Sequence, residues 1–175
     1  PMFWLKTGLF AVGLGMSFVY AIIPPLARDL GLSEIQASFI FSLSAVAWAM
    51  TSAPWGRASD KYGRRNIAIL GYIGYSISMI ILILPIYLAD KNILSAAFVF
   101  PLLILGRTIY GLLGSATRPA SFAYIADITP KSKRTKKFAR FESNFLLGTL
   151  VGPLLGGYLS VSYTHLTLPT NKAVG

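Results

Sequence analysis

The chain has 175 residues, of which 54% are hydrophobic and only 13% are charged, whereas a soluble domain carries roughly 25% charged residues. Its mean hydropathy is +0.62, so a water-soluble fold would expose large apolar surfaces that promote aggregation. The composition therefore argues against a soluble enzyme and a disordered chain, and the absence of cysteine excludes a disulfide scaffold. It suits membrane-spanning helices of about 20 residues each.

Five apolar segments, taken in chain order, predict five membrane-spanning helices. They cover residues 7–26, 36–55, 67–88, 94–126 and 141–159. Within lipid each segment must be helical, because unpaired backbone groups have no water to bond. The fourth exceeds the length that crosses a bilayer, so we expect it to tilt or to project beyond the membrane. The expected fold class is an all-α integral membrane helix bundle.

The net charge of +10 is concentrated at three places in the chain. Lys6 precedes the first span, four cations lie between the second and third spans, and six lie between the fourth and fifth. The other two connections hold one cation each, Arg28 and Lys91. Because short cytoplasmic loops are enriched in Lys and Arg, we expect a cytoplasmic N-terminus. Anionic lipid headgroups, rather than nucleic acid, are the expected partners of these cations.

Residues 161–170 read VSYTHLTLPT and break the apolar pattern. All ten match the in-frame translation of a transposon-based sequencing-library adapter. We therefore expect residues 1–160 to form the native bundle, residues 161–175 to be a non-native tail, and the chain to be a fragment. His165, the only histidine, is then given no role as a ligand or base. The alternative is a polar loop after the fifth span.

The segment GRASDKYGRR at residues 56–65 lies between the second and third spans. A small residue at position 56 permits close helix approach, and Gly63 can adopt a positive φ in a tight turn. Asp60 can face a helix N-terminus, and the two arginines can pair with carboxylates or phosphates. The segment resembles a loop motif of the major facilitator superfamily, and the alternative is a plain loop that binds headgroups. The matching residues are Gly56, Asp60, Lys61, Gly63, Arg64 and Arg65.

A second segment, DITPKSKR at residues 127–134, resembles the D-x-x-P-x-x-x-R pattern of the same superfamily. Pro130 ends the preceding helix, which leaves Asp127 at the membrane rim on the same side as Arg64. We expect these two residues to form an ion pair that closes the cytoplasmic side, with Arg134 as a further rim charge. The resemblance implies that Asp60 also engages a helix of a second half. The alternative is an unpaired rim carboxylate.

The fifth span contains GTLVGPLLGG at residues 148–157. Gly148, Gly152 and Gly156 recur every four residues, so one helix face is nearly bare backbone against which a partner can pack. Pro153 removes a backbone hydrogen bond and favours a kink. Together with Gly157, these residues resemble the G-x-x-x-G-P-x-x-G-G motif of drug/proton antiporters. Simple helix association is the alternative.

Ionisable residues inside spans are costly and usually functional. Arg107 with Gly111 resembles the R-x-x-x-G element that the superfamily links to proton transfer, although Tyr110 replaces its usual glutamine. Arg118 lies about three turns further on a similar face. We expect one or both arginines to hold an anionic substrate group or to tune a nearby carboxylate, with snorkelling of Arg118 as the alternative. Glu142 is the one candidate for an internal proton site, unless it pairs with Arg140 or faces the cytoplasm.

The resemblance implies a twelve-helix secondary transporter built from two six-helix halves, with the substrate site between them. The chain would supply most of the N-terminal half, in a bacterial inner membrane, and would be inactive without the C-terminal half. The implied activity is proton-coupled export of small amphipathic compounds by alternating access. No phosphate loop, zinc motif or nucleophile triad is present, so we expect neither an enzyme nor a cofactor or metal. An importer of sugars or organic anions and a non-transporting membrane sensor remain alternatives.

Overall fold

The computed structural model describes residues 2–29, 31–91 and 93–167, and all regular structure within them is helical. This confirms the expected all-α fold class. Two short 3₁₀ helices, Gly114–Ala116 and Lys131–Lys133, separate the later α-helices. The α-helices are α1 (Met2–Asp29), α2 (Glu34–Tyr62), α3 (Arg64–Asp90), α4 (Ala96–Leu113), α5 (Thr117–Asp127) and α6 (Arg134–Thr167).

Four segments of the described residues are long and apolar enough to cross a membrane. They are Phe3–Arg28, Glu34–Tyr62, Arg64–Leu88 and Phe98–Asp127. The fifth expected span, residues 141–159, lies within α6, a helix of 34 residues. Its length suffices to cross a bilayer. The fifth crossing stays a prediction.

The helices extend beyond the apolar segments that predicted them. Helix α2 continues to Tyr62, so Gly56 and Asp60 are helical and the sequence expectation of a loop there is wrong. Arg57, Ala58 and Lys61, which have good helix propensity, favour continuation of the helix past the apolar stretch. Only Gly63 is non-helical between α2 and α3, and its φ of +94° confirms the expected positive φ. Likewise, the basic segment before the fifth span forms the first two turns of α6.

The long fourth apolar segment forms three consecutive helical elements, which are α4, a 3₁₀ turn and α5. The turn consists of Gly114, Ser115 and Ala116, all of which are buried. Its small side chains allow the tighter 3₁₀ winding against neighbouring helices. The helix then ends at Asp127, three residues before Pro130, as the sequence predicts.

The core positions show how the helix ends assemble. Leu5 near the start of α1 packs with Ile125 near the end of α5 and Phe141 near the start of α6. Ile23, near the other end of α1, packs with Leu82 of α3. One end of the bundle therefore collects the start of α1, the α2–α3 turn and the α5–α6 connection, which carry most of the cations. We call it the basic end.

Helices α1 and α6 pack closely along the glycine face of α6. A Cβ added at Gly148 would overlap the Phe10 carbonyl oxygen, and one at Gly152 would lie 2.6 Å from the Leu14 carbonyl oxygen. Side chains larger than hydrogen at these two positions would therefore push α1 away. Gly156 also faces α1, since an added Cβ would lie 3.4 Å from the Ala21 Cβ.

The remaining residues of this motif lie away from that interface. A Cβ added at Gly157 would have no neighbour within 4 Å, and Pro153 is exposed within a helix that continues to Thr167. The kink expected at Pro153 stays a prediction. Residues 168–175 of the expected tail, and the side chain of His165, lie outside the described residues.

Candidate functional site

An ion-pair network ties three helices together at the basic end. Arg64 Nη1 lies 2.7 Å from Asp60 Oδ1 across the α2–α3 turn. Arg64 Nε also pairs with Asp127 Oδ2 at the end of α5. The ion pair expected between Arg64 and Asp127 is therefore present. Because the Asp60 side chain is 61% exposed, it retains room for a further partner.

The other residues of the α2–α3 motif have separate positions. Arg65 and Lys61 are exposed, with Lys61 Nζ 5.3 Å from the centre of the Tyr62 ring. Gly56 faces α5, because a Cβ placed on it would lie 3.9 Å from the Pro119 Cβ. The exposed cations are available to solvent or to lipid phosphates, and a Cβ at position 56 would make only an ordinary contact with α5.

Arg134 does not act as the charge partner expected of it. Its Nε donates a hydrogen bond of 3.1 Å to the Thr129 carbonyl oxygen, within the α5–α6 connection. The five-residue separation favours this local bond, which satisfies a backbone acceptor just after α5. Among the described ion pairs, Asp127 is bonded to Arg64 instead.

A cavity of about 220 Å³ lies among α1, α2, α4, α5 and α6. It is smaller than the roughly 300–1,000 Å³ of drug-sized sites. Its lining combines aromatic rings with two arginines, both expected from the sequence to share one face. The lining residues are Val12, Met16, Tyr20, Ser44, Ala45, Trp48, Arg107, Tyr110, Gly114, Thr117, Arg118 and Phe145.

Arg107 is almost completely buried, with 1% of its surface exposed. Its Cζ lies 5.1, 5.3 and 5.5 Å from the ring centres of Tyr110, Phe41 and Tyr20. These rings stabilise a cation through their faces. Among the described residues, Arg107 has no ion-pair partner. Its Nε and Nη1 atoms also have no hydrogen-bond partner among them. A buried charge in this state is costly, so Arg107 is a candidate for binding an anion.

Arg118 forms an ion pair with Glu142, which joins α5 to α6. The Arg118 Cζ also lies 4.8 Å from the centre of the Phe145 ring. This ion pair argues against two alternatives from the sequence. Arg118 is bonded to Glu142 rather than snorkelling toward the membrane surface, and Glu142 is bonded to Arg118 rather than to Arg140. The second carboxylate oxygen of Glu142, Oε2, is buried and has no hydrogen-bond partner among the described atoms. This carboxylate is therefore only half satisfied.

Gly111, expected to act with Arg107, instead serves a packing contact between α4 and α2. A Cβ at this position would lie 2.6 Å from the Ser44 carbonyl oxygen. Thr51 of α2 donates to the Gly111 carbonyl oxygen at 3.0 Å and lies 2.8 Å from the Ser115 hydroxyl oxygen. The close approach therefore holds the Arg107-bearing helix against α2.

Several site residues were not identifiable from sequence patterns. Thr117 lies in the cavity wall with its Oγ1 unpartnered in the described part of the chain, and Phe41 contacts Arg107 without lining the cavity. Two tyrosines, Tyr20 and Tyr110, also line the cavity. Tyr72 instead donates to the Leu5 carbonyl oxygen of α1 at 3.1 Å. Helical spacing alone did not distinguish these two uses of tyrosine.

Comparison with known proteins gives consistent matches. The tetracycline resistance protein, class B, of Escherichia coli is 34% identical over 162 residues, covering 91% of this chain and 37% of that protein. An uncharacterised MFS-type transporter of Methanocaldococcus jannaschii is 28% identical over 160 residues, with coverages of 91% and 38%. The quinolone resistance protein NorA of Staphylococcus aureus is 26% identical over 159 residues, with the same coverages. The chain thus spans little more than a third of the length of these relatives.

The sequence matches the Major Facilitator Superfamily over residues 7–168. The match extends into residues 161–175, whose adapter origin stays a prediction. It covers most of the first candidate membrane span, the whole of the other three that the described residues contain, and the residues that line the cavity. The chain is an integral membrane protein and belongs to the major facilitator superfamily.

Proposed function

We propose that the chain is part of a proton-coupled secondary transporter that exports small amphipathic compounds. The cavity that contains Arg107 carries this proposal, because it places charge and aromatic rings inside a bundle of membrane-crossing helices. Two similar proteins are named for resistance to tetracycline and to quinolones. Those names favour export over the uptake of sugars or organic anions.

Alternating access requires helices that can move against each other and a contact that closes one side. We propose that the cavity is completed by a second, C-terminal half of the whole protein, as the length of the relatives supports. The Arg64 network then closes the cytoplasmic side, and Asp60, still largely exposed, engages that second half. The glycine face between α1 and α6 supports small shifts of packing, because few side chains interlock there.

The coupling site is proposed at Glu142. Its pairing with Arg118 and its unpartnered Oε2 place an acid near the cavity within the described bundle. Coupling of proton movement to export needs an ionisable group close to the cargo site, and ionisable residues inside a membrane bundle are usually functional. Glu142 is held next to the cavity by its ion pair with Arg118.

For orientation, we propose that the basic end faces the cytoplasm of a bacterial cell. Lys131 and Lys133, in the connection to α6, are exposed at that end, where anionic headgroups attract them. The positive-inside pattern supports the same orientation.

Transport of the aromatic monoanion 2-naphthoate and of tetracycline in inside-out membrane vesicles tests the proposed function. The vesicles should carry this chain within its full-length gene product, and an Arg107→Gln version provides the matched background. We expect respiration-driven uptake into the vesicles that a protonophore abolishes. Proton-driven accumulation of a sugar or organic anion in right-side-out vesicles would instead establish an importer. No flux of any of these compounds would favour a membrane sensor.

A further inference from the structure

We propose that the cavity selects aromatic monoanions, which place their anionic group at Arg107, while the Arg118–Glu142 pair excludes a second negative charge. This inference rests on the proposed function, in which the cavity is the substrate site. It adds the chemical class of the cargo.

The first argument is the unbalanced charge of Arg107. Arg107 is 1% exposed and has two guanidinium nitrogens without hydrogen-bond partners in the described structure. Ring faces attract a cation but accept no conventional hydrogen bond, so they leave those donors unsatisfied. A carboxylate or sulfonate supplies both the charge and the acceptors that are missing.

The second argument is the aromatic lining. Tyr20, Trp48, Tyr110 and Phe145 all line the cavity. Rings of a ligand can stack or make edge contacts with them.

The third argument is the net charge of the lining. Arg107 and Arg118 are the charged residues that line the cavity as described, and Glu142 neutralises Arg118. One positive charge is left over. A monoanion balances it, whereas a dianion would have to displace Glu142 from Arg118 and bury an unpaired carboxylate.

Equilibrium dialysis against the full-length gene product that contains this chain, held in lipid nanodiscs, tests this selectivity directly. Three probes share one ring system: 2-naphthoate, neutral 2-naphthamide and dianionic 2,6-naphthalenedicarboxylate. Empty nanodiscs measure partition into lipid. We expect 2-naphthoate to bind at least about tenfold more tightly than the other two probes, because a hydrogen-bonded charge pair contributes about that factor.

Two substitutions with opposite expected effects distinguish binding at this site from nonspecific binding to the protein. Arg107→Gln should remove the preference for 2-naphthoate over 2-naphthamide. Glu142→Gln should free Arg118 and raise the affinity for the dianion by about tenfold or more, with a smaller gain for the monoanion. The control is Arg140→Gln. Arg140 is an exposed residue of α6, the helix that also carries Glu142, and its substitution should leave the affinities for all three probes unchanged.

Equal binding of 2-naphthoate and 2-naphthamide would overturn the inference, as would unchanged dianion binding in Glu142→Gln. The second variant keeps the test decisive if Arg107→Gln fails to fold, because it predicts a gain rather than a loss. Export of neutral compounds without naphthoate binding would overturn this inference and leave the proposed function intact. Naphthoate binding with no flux in any vesicle experiment would refute the transport proposal separately.

Discussion

Arg64, the first residue of α3, is ion-paired with Asp127, the last residue of α5. The same guanidinium also bonds Asp60, near the end of α2. One side chain therefore fixes the relative positions of three helix ends at the basic end of the bundle. Any movement that separates α3 from α5 must break this contact.

Asp127→Asn should lower transport several-fold in the full-length protein, because the state closed at the basic end loses a charge-assisted bond. The amount of protein inserted in the membrane should stay unchanged, since the residue is half exposed and lies at the rim. Initial rates of 2-naphthoate and tetracycline uptake into inside-out vesicles measure the effect. Glu34→Gln, an exposed acid at the start of α2, is the control. Equal rates for Asp127→Asn and the parent would show that the pair has no role in transport.

Gly152→Val should destabilise the bundle by about 1–3 kcal/mol, the range for overpacked interiors, because the new side chain meets the α1 backbone. Unfolding by SDS in mixed micelles, followed by circular dichroism, measures the change. The matched substitution Gly157→Val meets no neighbour within 4 Å and should be close to neutral. If both variants unfold alike, α1 and α6 do not pack through this face.

Ser33→Ala should cost about 0.5–2 kcal/mol, the usual value of an N-cap. Ser33 Oγ accepts from the Gln36 N–H at 3.2 Å, and the Gln36 side chain accepts from the Ser33 N–H at 2.9 Å. Ser95, the N-cap of α4, makes no such side-chain bond, so Ser95→Ala should leave stability unchanged. Thermal unfolding in detergent compares the two, and a larger loss for Ser95→Ala would contradict the assignment of the capping box.

Thr51→Val should weaken the contact between α2 and α4 by about 0.6–1.7 kcal/mol, as for hydrogen bonds between membrane helices. The substitution keeps the shape but removes the bonds to Gly111 and Ser115. Thr149→Val is the control, because the Thr149 hydroxyl bonds only the Leu146 carbonyl oxygen of its own helix. SDS unfolding of both variants gives the comparison, and identical curves would contradict an interhelical role for Thr51.

The sequence predicted the fold class well, and four of its five apolar segments correspond to helices long and apolar enough to cross a membrane, because hydropathy reflects the solvent that each segment requires. The pair between Arg64 and Asp127 was also predictable, since both motifs lie beside helix ends on one side of the membrane. The extent of α2 was not, because the apolar stretch ends before the helix does. Glycine at position 63 was the only local signal for its true end.

The partners of buried charges were the main gap. Arg118 and Glu142 are 24 residues apart, and their meeting depends on how α5 packs against α6, which no local pattern encodes. The aromatic surroundings of Arg107 likewise come from α1, α2 and α4. Sequence reasoning could identify the costly charge but not what surrounds it.

Site-directed labelling most directly tests the claim that this is a membrane bundle with its basic end in the cytoplasm. The chain has no cysteine, so Ser132→Cys and Lys91→Cys each introduce a single target at an exposed position in a connection. A membrane-impermeant maleimide should label the cysteine at position 91 in spheroplasts and the one at position 132 only in inside-out vesicles. Labelling of position 132 in intact spheroplasts would contradict the account.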